Sequence, residues 1–394
     1  MSEEPRGGTR APAPRTPAGR LIATALGLSL VLTLVVLAFT WPAMTSEAED
    51  LPVAITGPAD AVDAVAGRLA EARPGTIELI EVGDRDAAVE SVETRETYGA
   101  IVLGDASAGE APEVLTSSAA NGATNQLMNA LAQQLQTAVT EQATAATSER
   151  MTAAQSEAAE TVRQTVEDAV AAALRAAAQG ERPGATAAGA APAAPEPVDV
   201  EIPRVKVTDV VPLSDDDPNG SGFTAALFPT LLGGMVGGIG ISTAVRGAMR
   251  RVSAVILYSA LGGGILTAIL QGWFGVLQGD WWWTLGAMSL SIAAIAAPIT
   301  GFVAIFGRAG IAAGPVLMML IGNPISGATT PKEFLPWHWG EIGQWFPPGA
   351  SGTLLRDLSY FPAADAANAW IALGAWVAGG IVLSLVGHAR ATAR

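Results

Sequence analysis

TLGAMSLSIAAIAAPITGFVAIF, from Thr284 to Phe306, contains no ionisable side chain and is long enough to cross the roughly 30 Å core of a bilayer as a helix. Working outward, four similar runs fill the C-terminal half: Phe223 to Val245, Val252 to Val276, Ala309 to Ala328 and Ala366 to Val386. One more, Leu21 to Thr40, stands near the N-terminus behind Arg6, Arg10, Arg15 and Arg20. That run exceeds the about 7–15 residues of a signal-peptide core, and Pro42-Ala43-Met44 is a poor cleavage site. It reads as a retained signal anchor, with a cleaved signal as the alternative. Composition agrees, since 50% of the 394 residues are apolar and only 15% are charged.

The predicted fold is an α-helical polytopic membrane protein of six transmembrane helices, with an α/β extracytoplasmic domain and long helices inserted between the first and second spans. Residues 1–20 form a disordered cytoplasmic tail, 21–41 the first span, 42–222 the extracytoplasmic domain and 223–394 a five-helix membrane domain. Basic residues set the orientation. Arg246, Arg250, Arg251, Arg308, Arg390 and Arg394 fall on the side of the arginine-rich N-terminus, whereas the opposite loops carry Asp280, Glu333, Glu341, Asp357 and Asp365. Both termini are therefore expected in the cytoplasm. Trp41, Trp273, Trp281, Trp337 and Trp345 cluster near the outer boundary, where indole rings favour the interface. Arginine-over-lysine usage and an alanine bias point to a GC-rich bacterial genome, and so to a bacterial cell membrane.

The domain between the first two spans holds 30 acidic and 10 basic residues from Glu47 to Asp217, a difference of −20 that accounts for the chain's net charge of −15. Solubility explains the excess; attraction of a basic ligand is the alternative. Strands are expected at Leu51 to Thr56, Thr76 to Val82, Tyr98 to Leu103 and Glu113 to Thr116, with helices at Asp60 to Ala72 and Arg85 to Arg95. Asn121 to Gln179 is alanine-rich, with one stripe at Leu127, Leu131, Leu135 and Val139 and another at Val162, Val166, Val170 and Leu174. Its polar middle, Thr140 to Ser156, leaves one long helix and a two-helix hairpin both open. Gly180 to Pro197 reads as a linker, and Val205 to Pro212 as a last strand.

Much chemistry is excluded. There is no cysteine, and His338 and His388 have no companion at metal-ligand spacing, so no metal site is expected. The lysines, Lys206 and Lys332, follow Val and Pro, not the glycine of a phosphate-binding loop. No ionisable residue lies inside the five C-terminal spans, as an ion-coupled carrier would need. Catalytic residues, cofactors and a nucleic-acid partner are not expected; the chain is read as no enzyme.

GNPISGATTPKEFLPWHW, from Gly322 to Trp339, followed by Trp345-Phe-Pro-Pro-Gly-Ala350 and Thr353-Leu-Leu-Arg-Asp-Leu358, breaks a span and turns its backbone. This pattern resembles the C-terminal signature of type-2 ABC exporter permeases, and the architecture is similar to their YhgE/Pip branch. The stretch Asp86 to Leu103 also looks like a segment of that group. The resemblance implies an external re-entrant segment over 322–356, with Pro324, Ser326, Gly327, Pro331, Leu335, Pro336, Pro347 and Arg356 forming the gate of an export path. It implies a separate ATPase subunit. Gly7, Gly8, Pro12, Pro14 and Pro17 break the region where such permeases carry an amphipathic interface helix, which leaves Arg246, Arg250 and Arg251 as the docking loop. Gly233, Gly234, Gly237 and Gly238 allow close helix packing, within the bundle or at a homodimer seam. The function expected is thus a permease-like subunit of an export or envelope-transport system. The alternative is a non-transporting envelope scaffold or receptor whose external domain binds a ligand, a protein partner or a phage.

Overall fold

The computed structural model describes residues 48–104, 110–179 and 202–392, with scattered positions from 26 to 45. The N-terminal tail, most of the first span, the linker from Gly180 to Pro197 and Arg394 lie outside the described residues. Those described within the first span, such as Leu26, Leu30, Val36 and Leu37, are helical. The chain is mostly helical and divides into a sheet unit, Pro52–Pro212, and a helical unit made of Leu213–Arg394 with the N-terminal residues.

In the sheet unit the order of elements is β1 (Leu51–Thr56), α1 (Ala59–Ala72), β2 (Ile77–Glu81), α2 (Arg85–Glu93), β3 (Gly99–Val102), β4 (Glu113–Thr116), α3 (Gly122–Ala178) and β5 (Lys206–Asp209). The strands lie in the order β2-β1-β3-β4-β5. β1 and β3 pair in parallel, β3 and β4 antiparallel, and β4 and β5 in parallel. Val53, Ile55, Ala100, Val114 and Leu115 are fully buried, which is why these short runs of β-branched and small residues hold as strands. Asp84 and Asn121 start α2 and α3 by accepting hydrogen bonds from Ala87 N–H and Ala123 N–H, each at 2.8 Å.

α3 is one continuous helix of 57 residues, about 86 Å long. Its polar middle is rich in Ala, Gln and Glu, good helix formers, and its hydroxyls find partners on the preceding turn: Thr140 donates to Gln136 O, Thr144 to Thr140 O, Thr147 to Ala143 O and Thr152 to Ser148 O, at 2.7–2.8 Å. Only the first turns are anchored. Met128 is fully buried where Gly99 lets the helix approach the sheet, and the Gln136 amide accepts from Val205 N–H at 2.7 Å as β5 enters.

Glu113 ties three elements together. Its carboxylate takes two hydrogen bonds from Arg85 (2.7 and 3.1 Å), one from the Thr208 hydroxyl (2.5 Å) and an ion pair from Lys206 (3.0 Å). The Arg85 guanidinium first, with Thr208 and Lys206, holds its pKa down at about 2 against the opposing effect of burial.

The helical unit contains α4 (Ser221–Ala244), α5 (Ala248–Thr267, extended by a π-helical turn to Trp273), α6 (Trp281–Phe306), α7 (Gly310–Pro315, continuing as π-helix to Gly322), α8 (Trp339–Gly343), α9 (Pro347–Tyr360) and α10 (Ala367–Thr392). Among the described residues, four apolar helical stretches are long enough to cross a membrane: Ser221–Ala244, Ala248–Trp273, Trp281–Gly322 and Ala367–Arg390. Their length and composition make this a membrane-embedded protein.

α6 is the centre, packed by α4, α5, α7, α9 and α10. Glycines set the closeness: a Cβ on Gly238 would meet Ala296 and Ile299 of α6, one on Gly263 would meet Ser289, and one on Gly380 would strike the backbone of Ala297 and Pro298. These contacts also give direction. Gly234 of α4 lies on Ile295 and Gly238 on Ile299, so α4 runs parallel to α6; Trp370 at the start of α10 meets Gly286, Gly380 meets Pro298 and Gly387 meets Ala304, so α10 does too.

Two predictions follow from this packing. Gly380→Val overpacks the α6–α10 seam and lowers the thermal unfolding midpoint of the detergent-solubilised protein by several degrees, for a cost of about 1–3 kcal/mol. Gly374→Val on the same helix, where a Cβ meets nothing within 4 Å, leaves the midpoint unchanged. In the sheet unit, the Glu113 pKa is lower folded than unfolded, so its stabilisation is present above about pH 4.3 and is lost as pH falls through 2. Glu113→Gln therefore weakens hydrogen-exchange protection of β4 and β5 at neutral pH and flattens the loss of that protection on acidification.

Candidate functional site

The expected fourth C-terminal span, Ala309 to Ala328, is shorter than a span. The chain reverses at Gly307, whose φ of 61° suits glycine, and returns along α6. Gly310 lies against Phe302 and Val303, Gly314 against Ile299, and Met318 is buried with Ile295. The winding stops at Gly322, after 6 α-helical and 7 π-helical residues, or roughly 20 Å, level with the middle of α6. Asn323-Pro324 then ends it.

The remaining distance is covered by another helix. A Cβ on Gly322 would meet Phe346 and Pro348, so α9 begins where α7 leaves off. At its far end the Tyr360 hydroxyl donates to Val276 O at 2.9 Å and Leu358 O abuts Gly279, just before α6 begins. Thus α7 and α9 form a single antiparallel partner to α6, interrupted at its midpoint by residues 323–346. Sequence reading placed Pro331 to Asp365 in an outer loop; within it, α9 is instead a buried helix, with 11 of its 14 residues buried.

The inserted segment is held by backbone contact and by one amide. Gly340 touches Lys332 O, Gly343 touches Ile325 O, and Gly349 touches Gly343 O, each too close for a side chain. Ser326 donates to Asn323 O at 2.7 Å and accepts from Ala328 N–H at 3.3 Å, with Gly327 at φ 63°. Gln344 then joins both sides of the break: its Nε2 donates to Ser326 O at 2.9 Å and its Oε1 accepts from the Thr353 hydroxyl of α9 at 2.5 Å. Trp376 of α10 donates its indole N–H to Trp345 O at 2.8 Å.

Charge is buried at the end of α9. Arg356 and Asp357 are 8% and 4% exposed. The Arg356 guanidinium lies 4.8 Å from the centre of the Phe223 ring, and Tyr360 meets the same ring edge-on. Phe223 is in turn fixed by Asp217, a buried carboxylate that accepts from Gly222 N–H (3.0 Å) and Phe223 N–H (2.9 Å) to cap α4.

Of the residues expected to form a gate, Ser326, Pro331, Leu335, Pro347 and Arg356 are buried, and Pro324, Gly327 and Pro336 are partly so. Ser326 and Gly327 lie beside Gln344 and Pro347 opens α9, whereas Arg356 stands about 13 Å further along that helix. Sequence reasoning missed Gln344 and Thr353, for which no pattern exists. Asp217 was counted in the acidic excess, although an acid placed just before an apolar helix is a capping signal. Of the expected docking loop only Arg246 lies between α4 and α5, while Arg250 and Arg251 are in the first turn of α5; Arg246 and Arg250 are exposed, but Arg251 is engaged with Val245 O (2.8 Å) and Ser242 O (3.0 Å) and closes the end of α4. Gly234 and Gly238 pack on α6 and Gly237 on the Tyr258 ring, so contacts within the bundle account for three of the four glycines; Gly233 O accepts from the Tyr258 hydroxyl at 2.8 Å, and a Cβ there would have room.

Beside the break, an apolar groove of about 320 Å³ opens between α6 and α10, lined by Pro298, Phe302, Trp345, Trp376, Gly380 and Leu383. Such a lining suits a hydrocarbon chain and offers nothing to a charged group.

No family model, curated protein or solved structure matches this chain.

Gln344→Ala removes the bridge across the break and leaves Ser326 O and the Thr353 hydroxyl each short of a partner, at about 1–3 kcal/mol. Hydrogen exchange over residues 323–346 accelerates at least tenfold while α6 is unchanged. Gln344→Glu keeps the acceptor for Thr353 but sets a carboxylate oxygen against Ser326 O, and it accelerates exchange at least as much.

Proposed function

We propose that the chain is the permease-like subunit of an export or envelope-transport system in a bacterial cell membrane, working with a separate ATPase. The observation that carries this reading is the interrupted helix α7–α9. A helix broken at its midpoint, with its freed backbone groups satisfied by protein, is an arrangement that membrane transporters use where a substrate path must open. Arg356 and Asp357, buried at the end of α9 where α4 and α6 begin, add charge at the outer end of this interrupted helix, where burial is costly unless it serves a purpose. The sequence resemblance to type-2 ABC exporter permeases of the YhgE/Pip branch falls on these same residues.

In this reading α6 is one span and the interrupted α7–α9, joined to it at Gly307, is a second, giving five in the helical unit and six with Leu21 to Thr40. Both termini face the cytoplasm and residues 42–222 lie outside. Gln344 and its partners hold the path closed, and the apolar groove beside Trp345 favours an amphipathic substrate. The ATPase docks on the exposed Arg246 and Arg250.

A second reading, an envelope scaffold or receptor, is favoured by α3, whose C-terminal half exposes an apolar stripe far from the sheet that anchors it. Affinity purification from native membranes separates the two. Stoichiometric recovery of an ATPase, reduced at least tenfold by Arg246→Ala with Arg250→Ala while the protein's own yield holds, supports the permease. Recovery without any ATPase assigns the chain to the scaffold class.

A further inference from the structure

The distal half of α3 has no partner among the described residues. Val162, Val166, Val170 and Leu174 are 39%, 54%, 52% and 67% exposed, and with Ala159, Ala169 and Ala173 they form one face. An apolar face of this width on a helix far from its sheet needs covering.

The flanks of that face indicate what covers it. At about 100° per residue, Arg163 and Glu167 fall on one side of Val166, about 60° and 100° round the helix, while Ala158, Thr165 and Ala172 fall on the other. In an antiparallel pair related by a two-fold axis at Val166, like flanks meet. Arg163 of each copy then comes beside Glu167 of the other, with an axial offset of about 3 Å, and Val162 faces Val170. In a parallel pair the charged flank would meet the alanine and threonine flank, and no such pairing forms. Within one chain Arg163 already lies 2.9 Å from Glu160 and 3.7 Å from Glu167, so these side chains reach along the flank from which a second copy would be engaged.

We propose that α3 pairs with α3 of a second copy of this chain, antiparallel, with the two-fold axis at Val166. The alanines permit close approach, and the two reciprocal Arg163–Glu167 contacts set the direction.

The chain contains no cysteine, so single substitutions report cleanly in native membranes. Under mild oxidation V166C forms a disulfide-linked dimer, and Q164C, on the opposite face, does not. V162C alone stays monomeric, because its two copies would lie about 12 Å apart, beyond the about 7 Å a disulfide spans. Co-expression of V162C with a differently tagged V170C yields the mixed dimer. Cross-linking of V166C no greater than that of Q164C overturns the proposal, and so does efficient self-linkage of V162C, which signifies a parallel pair. All four positions are exposed, so the substitutions leave folding intact.

Discussion

Backbone approach to α6 is the constraint around which the helical unit is organised. Lipid offers no hydrophobic drive for helices to associate, so cohesion must come from dense contact, and that requires the loss of side chains at the seams. Ala296, Ser289 and Ala297 on α6, facing Gly238, Gly263 and Gly380 on three neighbours, supply it. Because α6 carries no charge and is packed by five neighbours, it offers one continuous surface against which a discontinuous partner can be laid. α7 and α9 need not be covalently continuous in register to behave as one antiparallel companion; each is positioned by α6.

The interruption is tolerated for a related reason. Chain breaks in an apolar medium are expensive when carbonyls and amides lose partners. Here Asn323 N–H still donates to Met318 O, Ser326 closes a turn on Asn323, and the Gln344 amide serves both sides. The same logic, one polar side chain completing several backbone or charged partners, recurs in the sheet unit at Gln136 and Glu113. In each place a single residue stands between a local structure and its separation from the rest.

How much of this was legible in the sequence depends on whether the determining contact is local. Strands such as Leu51–Thr56 and Glu113–Thr116, and the apolar runs of α4, α5, α6 and α10, declare themselves through their own composition. The continuity of α3 was undecided because Thr140 to Ser156 has no stripe to read; its alanines favour a helix, and its hydroxyls are satisfied on the preceding turn, without leaving a periodic trace. The early stop of α7 and the burial of α9 were hidden more thoroughly. Pro347-Pro348-Gly349 reads as loop and Arg356-Asp357 as solvent-facing charge, and only packing on α6 and Phe223 makes them otherwise. The segment around Ser326 and Gly327 was singled out because its prolines and glycines are unusual, while Gln344, which holds that segment together, is an ordinary residue in an ordinary place.

The start of α9 is unlike most helix beginnings. A helix that begins inside a protein usually presents several unpaired N–H groups, and with them a partial positive charge that draws anions. α9 begins with Pro347 and Pro348, neither of which has an N–H, and Ala350 N–H is already bonded to Phe346 O at 2.9 Å. The break in the helix is therefore electrostatically quiet: it interrupts the wall of the bundle without creating an anion trap. What the break presents on this side is the apolar surface of Trp345, Phe346 and Trp376 in place of the charge of a helix end.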